Sequence, residues 1–83
     1  MGYKEKFKVG DLLSSDTDIS KALSRADLLE VIGYKNICNI FHIKVKSMRT
    51  NRISDYPAMH IEYHLKNHGN KRVVQLLYSK LDK

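Results

Sequence analysis

The stretch "ADLLEVIGYKNICNIFHI", residues 26–43, decides which fold the sequence predicts. In one interpretation a helix ends at Gly33, the chain turns at residues 34–36, and a second helix follows. In the other, the helix passes directly into a strand centred on "FHIKVK", residues 41–46. The first arrangement would be a helix-turn-helix that places a basic face in a DNA groove. The second would be a small α+β domain without an obvious task.

The periodicity of residues 35–49 fits both structures. As a helix, the segment has one apolar stripe, formed by Ile37, Ile40, Phe41, Val45 and Met48. As a strand, it has the alternation of a half-buried sheet, with apolar Phe41, Ile43 and Val45 between polar His42, Lys44 and Lys46. In the helix Lys44 would fall on the apolar side and would have to extend its ammonium group to water. Periodicity alone therefore leaves both structures open.

Upstream of this stretch, the sequence predicts a helix that begins near residue 18. "SSDTD", residues 14–18, supplies side-chain oxygens that cap a first turn. An apolar face at helical spacing follows, formed by Ile19, Ala22 and Leu23. Ser24 and Asp27 fit a capping box that would start a second helix near Arg25, with Gly33 as its C-cap. One continuous helix over residues 18–32 is the alternative.

Downstream, the loop at residues 49–57 precedes the clearest strand pattern in the chain. Apolar and polar residues alternate there, with Met59, Ile61, Tyr63 and Leu65 as the apolar set. "NHGN", residues 67–70, predicts a turn in which Gly69 adopts a positive φ. Residues 71–81 fit either a returning strand or a helix capped by Asn70, whose apolar face would be Val73, Val74, Leu77, Tyr78 and Leu81.

Positive charge is concentrated in the C-terminal part of the chain. Residues 1–33 contain five Lys/Arg and six Asp/Glu, whereas residues 34–83 contain ten Lys/Arg and three Asp/Glu. This asymmetry indicates a polyanionic partner. The length predicts one domain over residues 1–83, with residues 1–8 as a basic N-terminal arm or a first packed segment. No apolar run approaches the ~20 residues of a membrane span, and a lone Cys38 fits a reducing interior, so we expect a cytoplasmic protein without a membrane partner.

Residues 23–43, "LSRADLLEVIGYKNICNIFHI", resemble the helix-turn-helix of winged-helix DNA-binding domains. The matching positions are Ser24, Asp27, Leu28, Ile32, Gly33, Tyr34, Asn36 and Ile40. The resemblance implies an α+β, winged helix-turn-helix-like domain in which N-terminal helices precede an antiparallel hairpin. A helix, a two-stranded hairpin and a C-terminal helix form the alternative. The chain departs from the family after the recognition helix, where Asn51 would have to adopt the conformation that glycine usually provides.

The same resemblance implies a sequence-specific double-stranded DNA-binding protein, either a small transcriptional regulator or a plasmid or phage factor. The recognition helix would be residues 35–49 in the major groove, and the wing would be residues 66–72. Asn39 and Arg49 would contact base edges, and lysines would contact phosphates. The full set of expected DNA contacts is Lys35, Asn36, Asn39, His42, Lys46, Arg49, Arg52, Lys66, Lys71 and Arg72.

The sequence predicts neither a catalytic site nor a metal, cofactor or small-molecule ligand. His60, His64 and His68 recur every fourth residue, but on the expected strand neighbouring members would lie ~13 Å apart, too far to share one ion. No Gly-rich phosphate loop or nucleophile with a base at recognisable spacing is present, so we expect no enzyme. The alternative function is a small protein-binding inhibitor or adaptor with no nucleic-acid role. Residues 73–81, which are rich in apolar side chains, are expected to hold a homodimer.

Overall fold

In the computed structural model, the centre of the protein is a five-stranded antiparallel sheet. The structure describes residues 2–81, with side chains for residues 2–76. The strands are β1 (Asp11–Ser14), β2 (Leu29–Ile37), β3 (Ile40–Ser47), β4 (Ile53–Pro57) and β5 (Lys66–Asn70). Their order across the sheet is β4-β3-β2-β1-β5, and every neighbouring pair is antiparallel.

Four helices complete the fold and cover the two faces of the sheet unequally. They are α1 (Tyr3–Lys6), α2 (Ile19–Ser24), α3 (Ala58–His64) and α4 (Lys71–Leu81). One face carries the main core, formed by Phe7, Leu13, Val31, Ile43, Val45, Ala58 and Ile61. The other face carries a smaller second core near β1, formed by Leu12, Ala22, Leu28 and Val74. Within residues 2–81, no helix has the length and apolar character needed to cross a membrane.

The prediction of a winged helix-turn-helix is wrong. Residues 35–49, expected as a recognition helix, contain the end of β2, a turn, β3 and the first residues of the following loop. Residues 66–72, expected as a wing, form β5 and the first turn of α4. The strand interpretation of residues 41–46 is confirmed, because they belong to β3, an inner strand of the sheet between β4 and β2.

The start of β2 resembles a helix in sequence because both faces of the sheet are covered there. Leu28 lies in the second core, while Leu29 packs against the main core on the other face. Strands that are covered on both faces read as continuous apolar runs instead of alternating ones. A β-bulge between Val31 and Gly33 then lets Tyr34 pack, like Val31, against the main core, three residues further along. This three-residue spacing imitates one turn of a helix.

α2 begins where the sequence predicts a helix start, near residue 18. Asp18 is the N-cap, and its Oδ1 accepts hydrogen bonds from the backbone N–H and the hydroxyl of Ser20, at 3.0 and 2.9 Å. These hydrogen bonds hold the pKa of the Asp18 carboxyl below its usual value. The polar segment before the helix therefore has the capping role that its composition predicts.

α2 ends at Ser24, where the two-helix interpretation ends its first helix, but β2 follows in place of a second helix. The backbone N–H of Ala26 donates to the Leu23 carbonyl, and that of Asp27 donates to the Ala22 carbonyl. This pair of hydrogen bonds is a Schellman motif, which ends a helix. Ala26 accordingly adopts a φ of 54°. The second helix from Arg25, its C-cap at Gly33 and the continuous helix over residues 18–32 are therefore all wrong.

Residues 59–64 belong to α3 and not to the strand that their alternation predicts. Ala58 and Ile61 are 1% and 0% exposed, and Leu65 packs against the same core. Their spacing of three and four residues is that of a helix face. Met59 and Tyr63, expected beside Ile61 on one face of a strand, are 70% and 84% exposed. Ala58 is a core residue of this helix, but a pattern that counts only large apolar side chains does not include it.

The C-terminal segment takes the helical alternative as α4. Asn70 caps it, because its Oδ1 accepts a hydrogen bond from the backbone N–H of Arg72 at 2.9 Å. Val74 is 3% exposed but Val73 is 55% exposed, so the two do not share one buried face. Gly69 has the predicted positive φ, 98°, but it lies within β5 and not in a hairpin turn. The other residues of the predicted apolar face lie outside the described side chains: Leu77, Tyr78 and Leu81.

Candidate nucleic-acid interface

The outer end of the β2–β3 hairpin is a two-stranded extension of the sheet. Residues 34–37 of β2 pair with residues 40–43 of β3, down to the last pair, Ile37 and Ile40. On the other side of β3, pairing with β4 reaches only as far as His42, which lies opposite Pro57. β1 pairs with β2 no further along than Glu30. We call residues 35–42 the ribbon.

A two-residue turn closes the ribbon. Cys38 and Asn39 have φ values of 52° and 64°. Positive φ at both central residues is the mark of a type I′ turn, whose twist matches that of the flanking strands. Asparagine tolerates this conformation better than most residues, whereas cysteine does not share that advantage. Both residues are exposed, so the turn presents the Asn39 amide to solvent.

The base of the ribbon is braced by aromatic rings on the core side of the sheet. The ring of Phe41 lies between those of Tyr34 and Tyr3, with centroids at 5.6 and 6.2 Å. The Tyr34 hydroxyl donates a 2.7 Å hydrogen bond to the Phe7 carbonyl. Burial, together with the negative charge of Asp11, raises the pKa of Tyr34. Tyr3 and Phe7 of the N-terminal segment are thus packed against the sheet.

The opposite side of β2 and β3 carries a row of basic side chains. Lys35 lies directly opposite His42, and Lys44 and Lys46 follow His42 at alternate positions of β3, so all four share one face. Alternate residues of a strand are about 6.6 Å apart. Lys35 is exposed, and the other three are partly exposed. We call this set of four residues the basic row.

Acidic residues are absent from the outer part of the hairpin that carries the basic row. Residues 31–54 contain no Asp or Glu, but they contain five Lys/Arg. The acidic neighbours come from outside this segment: Glu30 lies opposite Lys46, and Asp55 lies opposite Lys44. Glu30 is also paired with Lys71, at 3.4 Å. Oδ1 of Asp55 is buried and has no hydrogen-bond partner in the described part of the chain. The ribbon therefore carries the positive charge of Lys35 without an acidic residue, whereas Lys44 and Lys46 of the basic row each have an acidic residue opposite.

Five of the ten predicted contact residues are brought together here. Four of them lie on the ribbon: Lys35, Asn36, Asn39 and His42. Lys46 lies further along the basic row. Three further residues lie on the face that carries the basic row but were not among the predicted contacts. They are Ile37 and Ile40, which are 37% and 54% exposed, and Lys44. The signal for Ile40 and Lys44 was the alternation of β3, and Ile37 follows from its pairing with Ile40.

The remaining five predicted residues lie elsewhere. Arg49 and Arg52 are exposed in the β3–β4 loop, at the end of β3 that is opposite the ribbon turn. Lys66 donates to the Thr17 carbonyl at 3.2 Å, and Lys71 is paired with Glu30. Arg72 is exposed in the first turn of α4. None of these five residues lies on the ribbon, although Lys71 reaches Glu30, which lies opposite Lys46 of the basic row.

Comparisons of the chain with protein families, with curated proteins and with solved structures found no match. No relative therefore bears on the resemblance to winged-helix domains. A function for this chain has to be argued from its own geometry.

Proposed function

We propose that the protein binds double-stranded DNA by inserting the ribbon into the major groove. The observation that carries this proposal is a two-stranded, acid-free extension of the sheet that adjoins the basic row. The major groove of B-DNA is ~12 Å wide and ~8.5 Å deep and admits a two-stranded β-ribbon. Beyond the pair Lys35–His42, where β4 still flanks β3, two residues of each strand and the two-residue turn project from the sheet. Two strand residues extend ~6.6 Å, so together with the turn the projecting end of the ribbon can reach into a groove of this depth.

The exposed side chains of the ribbon suit the contacts of a base reader. The amides of Asn36 and Asn39 both donate and accept hydrogen bonds, as recognition of adenine in the major groove requires. Ile37 and Ile40 offer apolar contact to thymine methyl groups. This proposal gives the reading role to a ribbon in place of the helix expected over residues 35–49.

The lysines of the basic row would provide most of the affinity. Lys35, Lys44 and Lys46 stand on one face behind the ribbon turn, where they would meet the phosphates that border the groove. Each phosphate contact releases condensed counterions and makes binding depend on salt. The major groove of double-stranded RNA is too narrow for side chains to read. The proposed ligand is therefore duplex DNA, and a protein of this size would act as a small regulator or as a plasmid or phage DNA-binding factor.

A homodimer would extend this mode of binding to two successive grooves. Twofold symmetry places identical reading elements about one helical turn of DNA apart. Val73 and Leu76 of α4 are 55% and 64% exposed and offer apolar surface for a second copy. Sedimentation of the wild type and of Leu76→Glu at micromolar concentration tests this part of the proposal. A wild type that sediments as a monomer throughout would contradict the dimer without affecting the DNA proposal.

Fluorescence anisotropy with a labelled duplex tests DNA binding. If the three lysines of the basic row contact phosphates, affinity should fall about 40-fold between 50 and 200 mM salt, since each contact adds ~0.9 to the logarithmic slope. Replacing Lys35 and Lys46 together by Gln should reduce the slope by ~1.8. Absence of binding at 50 mM salt would contradict the proposal and favour a protein-binding inhibitor or adaptor.

A second double variant controls for net charge. Lys8→Gln with Lys21→Gln removes the same charge from two exposed positions outside the ribbon and the basic row. This control should leave the salt slope unchanged, because neither lysine would contact a phosphate. Equal losses of affinity and slope from the two double variants would show a diffuse electrostatic attraction and contradict insertion of the ribbon.

A further inference from the structure

Two histidines stand side by side on the exposed surface of α3. His60 and His64 are four residues apart on a helix, so they occupy the same face. Their ring centroids are 4.5 Å apart. The strand expected over residues 59–65 would have separated them by ~13 Å. The two rings are therefore close enough to share one ion, because the pair lies on a helix.

These two histidines differ from the other two in their surroundings. Nδ1 of His42 lies 2.8 Å from the Ile40 carbonyl oxygen, and Nε2 of His68 lies 3.1 Å from the Asp16 carbonyl oxygen. The hydrogen bonds of the described residues include no partner for the rings of His60 and His64, and both residues are exposed. Their ring nitrogens are thus open to an external ligand.

The rest of α3 holds the pair in position. Ala58 and Ile61 anchor the helix in the main core. The ring of Tyr56 stacks on His60 with centroids 6.0 Å apart, and the ring of Tyr63 meets His64 edge-on at 5.1 Å. Packed rings lose less rotational freedom on binding a ligand than free ones do. The two imidazoles are therefore partly ordered before any ligand arrives.

We propose that His60 and His64 together chelate one divalent transition-metal ion of the Ni²⁺, Cu²⁺ and Zn²⁺ class. Imidazole nitrogen suits these ions, whereas Ca²⁺ and Mg²⁺ require oxygen ligands. Two histidines at i and i+4 of a helix are the arrangement that holds zinc in helical metal motifs. With metal–nitrogen bonds of ~2.0–2.1 Å, the two rings have to turn so that one nitrogen of each points at a common centre.

The site supplies two protein ligands from the described chain. No group of three or more His, Cys, Asp or Glu is gathered at one point among the described residues. The remaining coordination positions belong to water or to a second molecule, so the site is an open one. Imidazole must be unprotonated to bind a metal, and proton competition should therefore release the ion at pH 5.

Isothermal titration of the full chain with Ni²⁺ at pH 7.5 tests the proposal. We expect saturable binding of one ion per chain and a rise in Tm in the presence of the ion, because a ligand that binds the folded state stabilises it. His60→Gln and His64→Gln should each weaken binding by about tenfold or more, since each removes the intramolecular second ligand. Binding should disappear at pH 5.

Matched variants identify the ligands. His68→Gln removes a histidine from β5, and Cys38→Ser removes the free exposed thiol of the ribbon turn. Both should bind Ni²⁺ with the affinity and stoichiometry of the wild type. Undiminished binding in the double variant His60→Gln/His64→Gln, loss of binding in Cys38→Ser, or no binding by the wild type would each overturn the proposal.

Discussion

Ala26→Gly should stabilise the protein, because Ala26 holds a left-handed backbone conformation at the end of α2. Its φ is 54°, and its N–H donates to the Leu23 carbonyl in the Schellman motif. A residue with a Cβ atom is ~1–2 kcal/mol less stable in this conformation than in a right-handed one. Glycine avoids this strain, but its greater freedom in the unfolded chain costs ~0.4–1 kcal/mol. The expected net gain in the free energy of unfolding is about 0.5–1 kcal/mol.

The sign of this change tests how the deciding stretch folds. In a continuous helix over residues 18–32, Ala26 would be an interior residue, and Ala26→Gly would cost about 1 kcal/mol. Urea unfolding followed by circular dichroism measures the difference, and a gain of 0.5–1 kcal/mol corresponds to roughly 2–8 °C in Tm for a domain of this size. Lys21→Gly is the control, because Lys21 is an exposed residue inside α2. This substitution should lower the free energy of unfolding by ~0.5–1 kcal/mol. A loss of stability in Ala26→Gly would refute the reasoning.

Four further substitutions test the ribbon, α3 and the aromatic brace. Asn39→Gly should raise the free energy of unfolding by up to about 1 kcal/mol, since glycine is favoured at the second position of a type I′ turn; a lower urea midpoint would contradict that turn. Ile61→Ala should lower the free energy of unfolding by ~2–4 kcal/mol, and Met59→Ala should lower it by less than ~0.5 kcal/mol. Similar losses from the two would indicate a strand, in which both side chains share one face. The stability of the wild type should fall above pH 10, more steeply than that of Tyr34→Phe, because burial raises the folded-state pKa of Tyr34 above the 10.0 of an unfolded tyrosine. The stabilisation is then present below pH 10 and is lost as the unfolded chain ionises. Parallel pH profiles would exclude this linkage.

Local backbone features could be predicted from the sequence, because they depend on residues within a single turn. The caps at Asp18 and Asn70 are confirmed, as is the positive φ of Gly69. Asn51 has a positive φ, 60°, but in the β3–β4 loop and not at the end of a recognition helix, where the resemblance required it. Each of these depends on the chemistry of one side chain or on the freedom of one glycine.

The arrangement of the strands could not be predicted from the same patterns. Leu28 and Leu29 are apolar because opposite faces of the sheet are covered, and that coverage comes from distant residues such as Val74. The bulge after Val31 changes the side-chain period at one position. Ala58 completes the buried face of α3 without adding a large apolar side chain. In all three cases, tertiary contacts override the local period.

The residue types and the charge of the candidate site could be predicted from the sequence, but its secondary structure could not. Charge counts correctly placed the basic excess after residue 33, and four expected contacts lie together on the ribbon. The helical interpretation assigned them to the wrong secondary structure and left Lys44 out of the set. It also joined Lys66 and Lys71 to the same surface, although both are engaged by other parts of the protein. DNA binding itself stays a prediction.

Chemical-shift mapping of ¹⁵N-labelled protein with a duplex DNA reports the DNA-contact surface residue by residue. At low salt, we expect the amide shift changes to concentrate in residues 35–46, which contain the ribbon and the basic row. The amides of α2 and α3 should remain unchanged, since neither helix belongs to the proposed interface. Shift changes centred on the helices, with the ribbon unaffected, would rule out DNA binding through the ribbon.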